Sequence, residues 1–328
     1  MRLSVIVEWA NTRLNGVPRA WLMLDALARQ WQELIDRRYP DGLPAESVEF
    51  LARLDCAEVL IASGDGAVRD LDGEIRRRLP PAVDVEVLVA EGLEYYPLKT
   101  RAAERARGDL LLFVDSDVLP DDGWLAHLLG SLGRPGIDVV CAQTYVAPTD
   151  LFARTFALAW TYSLRDPSRQ LIPAGKFYAN SIAFRADVYR RTGFPPLGRR
   201  TRGASSLIRR KLDRIGVQVW ANYQAGVDHP PPADFRHLAV RAIAHGRDKY
   251  MTQSEDRHFS GLARSQRIAA ERWVRGTYRI CRDGRRIGLR PWEIPAALAI
   301  CSSYYAFFAL GGLMTHVNPS AMGARFRV

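Results

Sequence analysis

The sequence predicts an α/β protein with a mostly parallel central sheet flanked by helices. Short apolar runs typical of buried strands recur through the first third of the chain, and helical apolar spacing separates them. Strands that alternate with helices favour a parallel sheet covered on both faces. At 328 residues and 48% hydrophobic composition, the chain is long enough for a large core and for two units.

Each predicted element precedes a polar or glycine-containing segment that marks its end. The strand-like runs occupy residues 3–9, 59–62, 85–89 and 110–118. The stretches with helical character occupy residues 17–31, 67–79 and 98–107, and the last of them ends at Gly108, as helices commonly do.

The fourth run ends in two carboxylates, Asp115 and Asp117, which are two positions apart. Residues two apart in a strand point to the same face, so both carboxylates can converge on one small site. Hard divalent cations such as Mg²⁺ and Mn²⁺ take carboxylate oxygens together with substrate phosphates. The carboxyl ends of strands are also where open α/β sheets bind ligands. The pair therefore suggests a metal that carries a phosphorylated substrate, although a polar strand exit is the simpler interpretation of so short a motif.

Five segments in order give the chain a more specific character. They read LSVIVEWAN, ASGDG, YYPLKTRAAERARGDLLLFVDSDVLP, NSIAFRADVYRRTGF and VQVWANYQAGVDHPP. In this order they resemble the family 2 glycosyltransferases, over roughly residues 3–232. The resemblance implies a GT-A type, Rossmann-like fold for residues 1–235. Residues 236–328 are then a basic helical, membrane-associated extension with an apolar segment at 294–315.

The resemblance also implies roles for residues that would hold a nucleotide-diphosphate sugar donor. Glu8 lies where the family contacts the nucleoside, although many members have Pro-Thr in place of Glu8 and Trp9. Asp65 matches the carboxylate that contacts base and ribose, or is an ordinary turn residue between glycines. Lys99 and Arg101 match the helix that reaches the nucleotide, where cations suit a diphosphate, or are solvated charges.

The metal site implied by the resemblance has two protein ligands. Asp117 would bind Mg²⁺ or Mn²⁺ directly, and Asp115 would lie near the sugar or ribose. His229 matches a late histidine that often completes the metal shell through a neutral ring nitrogen, and a structural histidine is the alternative.

The expected general base is missing from the segment in which the family usually carries one. No Asp or Glu lies between Asp187 and Asp213, whereas residues 195–216 hold six arginines, including Arg200 and Arg202. Asp213 is a substitute base, because a base must lie within hydrogen-bond reach of the proton it removes. A phosphate acceptor needs no deprotonation, and Arg200 and Arg202 would suit it, unless the arginines are simply a solvated basic face.

Charge is distributed unevenly along the chain. Residues 1–150 hold 16 Lys and Arg against 25 Asp and Glu, a net charge of −9, whereas residues 151–328 hold 30 against 11, a net charge of +19. The second half thus favours a polyanionic partner such as an anionic membrane surface. Nucleic acid is not expected, because the acidic first half would repel phosphates.

The C-terminal part of the sequence favours the membrane. Nine arginines and two acids lie between Arg264 and Arg290, and the 22 residues from 294 to 315 carry no charge. About 20 apolar residues suffice to cross a bilayer, with flanking arginines on the cytoplasmic side. A helix lying on the headgroups and a buried helix of a soluble unit are the alternatives.

Together these features predict a metal-dependent glycosyltransferase at the cytoplasmic face of the membrane. It would be inverting, as the resemblance implies. It would make single transfers, since the Gln-x-x-Arg-Trp signature of polymerising relatives is reduced to Arg272-Trp273. The acceptor would be a lipid or glycan, with a lipid phosphate favoured by the arginines. The alternative function is a catalytically degenerate GT-A module that acts as a membrane-bound scaffold.

Overall fold

A computed structural model describes residues 1–93, 95–195, 197, 203–253 and 258–325 of the chain. Arg200 and Arg202, two of the predicted acceptor-site residues, lie outside this described part. The chain divides into two compact units. The first comprises Met1–Thr144, Arg165–Pro196 and Ala204–His229, and the second comprises Tyr145–Leu164, Leu197–Gly203 and Pro230–Val328.

The first unit is built on a sheet in which the described residues form nine strands. In chain order they are β1 (Arg2–Glu8), β2 (Cys56–Ser63), β3 (Val83–Val89), β4 (Leu110–Asp115), β5 (Leu119–Pro120), β6 (Val139–Tyr145), β7 (Leu171–Pro173), β8 (Ser181–Arg185) and β9 (Val219–Asp228). Their spatial order is β3-β2-β1-β4-β8-β6-β9-β5, and β7 pairs with β9.

The α-helices of both units are given in chain order. They are α1 (Thr12–Asn15), α2 (Val17–Ile35), α3 (Ala45–Leu51), α4 (Asp72–Arg78), α5 (Tyr96–Ala103), α6 (Trp124–Ser131), α7 (Leu151–Ala159), α8 (Ala186–Thr192), α9 (Ala204–Arg214), α10 (Phe235–Gln253), α11 (His258–Asp283), α12 (Ile294–Val317) and α13 (Pro319–Arg325). Short 3₁₀ turns occupy Gly66–Leu71, Gly284–Ile287 and Pro291–Glu293.

The sheet is parallel over the four strands that the sequence predicts. β1 pairs in parallel with β2 and β4, and β2 pairs in parallel with β3. The later strands β5, β7 and β8 pair antiparallel with their neighbours, so the complete sheet is mixed. The predicted α/β class with flanking helices is confirmed. Because β1 and β4 run in parallel, with Glu8 opposite Asp115, their carboxyl ends open at the same edge.

Burial on both faces explains why the central strands are almost uninterrupted apolar runs. Val5, Ile6 and Val7 in β1 are at most 1% exposed, as are all apolar residues of β4. A strand covered by helices on both faces has no solvent side to make polar. Helix α2 contributes its buried face, which includes Met23, Leu24 and Leu27.

The second unit is helical and comprises α7 and α10 to α13. Its helices α10 and α12 approach each other closely at glycines. A Cβ on Gly246 would lie only 1.9 Å from the Phe308 carbonyl oxygen. A Cβ on Gly311 would lie 2.1 Å from the Ile243 carbonyl oxygen. Since this unit also takes in residues 145–164 and 197–203, a domain boundary at residue 235 stays a prediction.

Replacing Gly246 with alanine should therefore destabilise the helical unit. The added methyl would push α10 from α12, and overpacking of this kind typically costs about 1–3 kcal/mol. Gly73→Ala is the matched control, since Gly73 lies in α4 and a Cβ added there would meet no atom within 4 Å. The control should be neutral or stabilising by about 0.5–1 kcal/mol. Thermal unfolding midpoints check this, and equal midpoints for both variants would refute the close packing.

Candidate active site

The site forms where β1 and β4 end beside the segment that enters β8. The Ser116 amide donates to the Glu8 carbonyl oxygen at 3.0 Å, and the Asp115 amide donates to the Asn180 carbonyl oxygen at 2.9 Å. These backbone bonds bring the predicted residues Glu8, Asp115 and Asp117 to one edge of the sheet, because the strands that carry them are in register.

Lys99 holds Asp115 by a buried ion pair. Its ammonium group contacts the Asp115 carboxylate and donates to the Ala179 carbonyl oxygen at 2.7 Å. The lysine side chain is 4% exposed. Burial alone would lower the pKa of Lys99, but Asp115, Tyr96 and Glu8 outweigh it and raise that pKa above its ordinary value. Lys99 therefore stays charged and fixes the position of Asp115.

Asp117 is held by side chains that follow β1. Asn15 donates through its amide nitrogen to Asp117 Oδ2 at 2.7 Å, and Asn11 donates to Oδ1 at 3.4 Å. Arg19 donates from Nε to the Asp117 carbonyl oxygen. These three residues were not among the predicted site residues, and they fix both the carboxylate and the backbone of Asp117.

Arg19 also connects Asp117 to the end of β9. Its Nη2 donates to the Asp228 carbonyl oxygen at 3.1 Å and to the Asp228 carboxylate at 3.0 Å. Strands β5 and β9 pair antiparallel with Leu119 opposite Asp228. His229 follows Asp228 directly and is 6% exposed, so this pairing brings its backbone beside the segment that carries Asp117.

Glu8 is the most perturbed carboxyl group of the site. It is fully buried, and its two oxygens accept hydrogen bonds from the Ala10 amide at 2.5 Å and the Asn11 side chain at 2.8 Å. Burial, reinforced by the negative charges of Asp115 and Asp117 and opposed by Lys99, raises the pKa of Glu8 to about 8. At neutral pH this group is therefore largely protonated, because its burial and the two neighbouring carboxylates both disfavour the charged form.

The side chains at this edge offer atoms that suit a hard divalent cation as ligands. Carboxylate oxygens and an imidazole are ligands that Mg²⁺ or Mn²⁺ accept, and Glu8, Asp115 and Asp117 lie together at this edge. Over the described part of the chain, no group of three or more His, Cys, Asp or Glu side chains is arranged to hold a metal. A metal would thus depend on oxygens from a bound substrate as well as on Asp117 and His229.

Asp65 and Arg101, which were also predicted to bind the nucleotide-diphosphate sugar, lie in different surroundings. Asp65 accepts a hydrogen bond from the Ala67 amide at 3.0 Å, which caps a 3₁₀ turn, and its half-exposed carboxylate lies 3.7 Å from Arg13. Arg101 is exposed and pairs with Glu104 at 2.9 Å. Residues two apart on a helix point about 200° apart, so Arg101 faces away from the cluster that Lys99 enters.

The predicted substitute base has a surface partner. Asp213 lies in the last turn of α9, is 53% exposed and pairs with Arg209 at 2.7 Å, one helical turn earlier. Its contact with Arg209 is an ordinary surface ion pair. Arg200 and Arg202 fall outside the described residues, so their relation to Asp213 stays a prediction.

Comparison with known proteins identifies the class of enzyme. The sequence model of the family described as Glycosyl transferase family 2 matches residues 97–193, which include Lys99, Asp115 and Asp117. The predicted resemblance is confirmed over this segment, and with it the prediction of a glycosyltransferase. A comparison with curated protein sequences finds no match.

Solved structures with a similar chain path include several glycosyltransferases. One is the mannosyltransferase PcManGT from Pyrobaculum calidifontis in complex with GDP-Man and Mn²⁺, at 17% identity and a TM-score of 0.44, covering 98% of this chain and 84% of that chain. Another is S. aureus TarS 1-349 in complex with UDP, at 12% identity and a TM-score of 0.47, covering 98% of this chain and 92% of that one.

The raised pKa of Glu8 predicts a specific pH dependence of stability. The folded state retains a proton that the unfolded state, with its pKa of 4.5, releases, so the free energy of unfolding should fall as pH rises from 4.5 to about 8. The slope from this group approaches about 1.4 kcal/mol per pH unit. Glu8→Gln should flatten the slope in urea titrations at several pH values. Glu104→Gln is the exposed control, and an unchanged slope in Glu8→Gln would contradict the prediction.

Proposed function

We propose that this glycosyltransferase takes its sugar from a nucleotide-diphosphate donor with Mg²⁺ or Mn²⁺, and acts at the cytoplasmic face of a membrane. The observation that carries the proposal is the convergence of Glu8, Asp115 and Asp117 on the edge next to His229. Sugar transfer itself follows from the family match, and the donor class and metal dependence are the proposed steps beyond it.

Asp117 and His229 would hold the metal, and the two aspartates differ in a way that supports this assignment. Neutral amides of Asn11 and Asn15 donate to the Asp117 carboxylate, whereas a buried ammonium group donates to Asp115. Displacing an amide leaves a neutral group behind, but displacing Lys99 leaves a buried charge without its counterion, which costs about 3–5 kcal/mol. Replacing the present hydrogen-bond partners by a metal ion would therefore cost less free energy at Asp117 than at Asp115.

The remaining residues would bind and orient the donor. Asp115, held by Lys99, presents its second oxygen to a sugar or ribose hydroxyl, and Glu8, when protonated, is a hydrogen-bond donor beside it. Asp65 would contact the base and ribose from its exposed turn. Lys99 would serve the donor by holding Asp115, whereas Arg101 faces solvent with Glu104 and is not assigned to the diphosphate. The metal, when bound, supplies Lewis-acid neutralisation of the leaving nucleotide.

We propose an anionic acceptor, with a lipid-linked phosphate as its best form. Direct displacement at the anomeric carbon by such a group inverts the sugar and requires no base. Asp213, the candidate base, is exposed and its carboxylate is already engaged by Arg209, which speaks against it as the base. A glycan hydroxyl with Asp213 as base remains the competing acceptor.

The membrane part of the proposal rests on composition. Among the described residues, one helix, Pro291–Val317, is long and apolar enough to cross a bilayer, and a core helix can have the same length and composition. The arginines that precede it support the cytoplasmic face, because anionic lipids give that leaflet a negative surface potential.

The metal assignment predicts that Asp117→Asn abolishes metal-dependent donor binding and leaves the fold intact. An amide replaces the carboxylate poorly as a ligand for Mn²⁺, so affinity for GDP- or UDP-sugars in Mn²⁺ should fall by about tenfold or more. Asp122→Asn, at an 88% exposed surface position, is the matched control. Calorimetry with and without EDTA measures the effect. Equal affinities for wild type and Asp117→Asn would remove Asp117 from the metal shell.

A release assay separates the enzyme from the degenerate scaffold. An active transferase releases nucleotide diphosphate when donor, Mn²⁺ and a membrane lipid extract are combined, whereas a scaffold does not. Donor binding without release of nucleotide diphosphate would favour the scaffold.

The acceptor assignment predicts opposite effects at two places. Asp213→Asn should leave turnover nearly intact, because a phosphate nucleophile needs no proton removed, whereas Arg200→Ala or Arg202→Ala should raise the acceptor KM more than it lowers kcat. Arg38→Ala, an exposed arginine of the first unit, controls for loss of charge. Nucleotide diphosphate release with the lipid extract measures turnover. A loss of about 10²-fold or more in folded, donor-binding Asp213→Asn would establish a hydroxyl acceptor instead.

A further inference from the structure

Helix α12 presents a solvent-facing stripe that carries no charge. Six residues spaced three or four apart lie on this stripe, so they form one face of the helix. They are Ala299, Ser302, Ala306, Leu310, Leu313 and Val317, and the three largest are 41%, 46% and 75% exposed in that order. The outer face of a helix in a soluble unit is normally polar, so this stripe calls for a partner.

The opposite face of α12 is packed within the helical unit. Tyr304 and Phe308 are at most 1% exposed, and the Tyr304 hydroxyl lies 2.6 Å from His245 Nδ1 on α10. Gly311 brings the backbone of α12 against α10 at Ile243. The uncharged outer stripe thus belongs to a helix that is already seated, and it remains exposed after the unit has folded.

Helix α11 runs antiparallel beside α12. Gln266 donates to the Ala309 carbonyl oxygen at 2.9 Å, and Trp273, seven residues later, donates to Ser302 Oγ at 3.0 Å. Between the helices lies a shallow groove lined largely by apolar side chains, among them Ala269, Tyr305 and Ala306. The two helices therefore present one continuous surface.

The α11 side of this surface combines apolar side chains with arginines. Trp273, Val274 and Tyr278 are 43%, 58% and 57% exposed. Arg267 is exposed on the same side of the helix as Val274 and Tyr278, which follow it by seven and eleven residues, within a segment of nine arginines and two acids. Arginines beside exposed aromatic and aliphatic side chains complement a surface with phosphate headgroups above an apolar layer.

We propose that the α11–α12 surface docks on an anionic phospholipid bilayer, with α12 lying in the plane of the interface and not crossing it. This deepens the membrane part of the proposed function and rests on it. A crossing α12 that kept α11 beside it would carry Arg267, Glu271 and Arg275 into the hydrocarbon. An arginine at the bilayer centre opposes insertion strongly, and the alanines and serines of α12 offset little of that cost.

A position in the membrane interface suits the exposed side chains of both helices. The uncharged stripe of α12 and the exposed Trp273, Val274 and Tyr278 then enter the boundary of the acyl chains, while the long arginine side chains reach the phosphates. The packed face of α12 keeps its contacts with α10, so docking needs no unfolding of the unit.

Vesicle binding of the full-length chain tests the surface. The protein should sediment with vesicles of phosphatidylcholine and phosphatidylglycerol, and much less with phosphatidylcholine alone. Leu310→Glu and Leu313→Glu should each weaken binding about tenfold or more, because each loses a buried leucine worth about 1.5–3 kcal/mol. Leu22→Glu, at a 56% exposed leucine of α2, is the matched control and should bind as the wild type does. Equal binding by all three variants would overturn the proposal.

Probe depth decides between lying and crossing. A fluorophore attached to Ala299→Cys, Ala306→Cys or Leu313→Cys, with the exposed Cys56 and Cys281 replaced by serine, reports its depth through quenching by brominated lipids. The three depths should be equal and shallow. A crossing helix would instead place successive probes about 10 Å apart along the membrane normal, since seven residues rise by that length. Depths graded in this way would overturn the proposal, as would a dimer in solution with no affinity for vesicles.

Donor binding without vesicles keeps this inference separate from the proposed function. The two leucine variants should retain metal-dependent donor binding while they lose vesicle binding. If the wild type binds vesicles as predicted but binds no nucleotide-diphosphate sugar, the donor proposal fails and the docking surface stands.

Discussion

The candidate site depends on one buried ion pair, between Lys99 and Asp115. Parallel pairing of β1 with β4 forces Glu8 and Asp115 to the same edge of the sheet, and Asp117 follows two residues later. Three carboxyl groups this close to one another cannot all ionise without a cation among them. Lys99 supplies that cation and also binds the Ala179 carbonyl oxygen, just before β8. One ammonium group thus joins α5, β4 and the entry to β8. Glu8 is left buried beside two carboxylates, and its burial together with their charges raises its pKa.

The sequence could predict the parts of the site that lie at the ends of apolar strands. Asp115 and Asp117 follow an unbroken buried run, Glu8 ends another, and the parallel order of those strands is enough to bring them together. The approach of His229 to Asp117 could not be predicted in this way. It depends on β5, a strand of two residues that no hydrophobic period reveals, which pairs with β9. Arg101 shows the limit of motif matching, because helical geometry turns it away from the edge that Lys99 reaches.

The residues that contact Asp117 have a regular spacing in the sequence, but the hydrophobic pattern does not reveal it. Asn11, Asn15 and Arg19 are spaced by four residues, which is the spacing of one helix face. Gly16, with a φ of 78°, interrupts the helix between Asn15 and Arg19, so the spacing does not stand out as a single amphipathic segment. The side chains nevertheless converge, because α1 and α2 both pack at the carboxyl end of the sheet. A polar residue repeated every four positions directly after a buried strand is therefore a useful signal for site residues.

The C-terminal segment shows why hydropathy alone could not choose between a buried, a crossing and an interfacial helix. An uncharged run of about 20 residues is needed only for crossing but is compatible with all three, and 294–315 is such a run. The distinction lies in the neighbours of α12. Its buried face excludes a lone helix in lipid, and its uncharged outer face is atypical of a helix exposed to water. The arginines of α11, held beside it over its length, exclude the hydrocarbon core for the pair. An interface, apolar on one side and charged on the other, is the environment that satisfies both helices together.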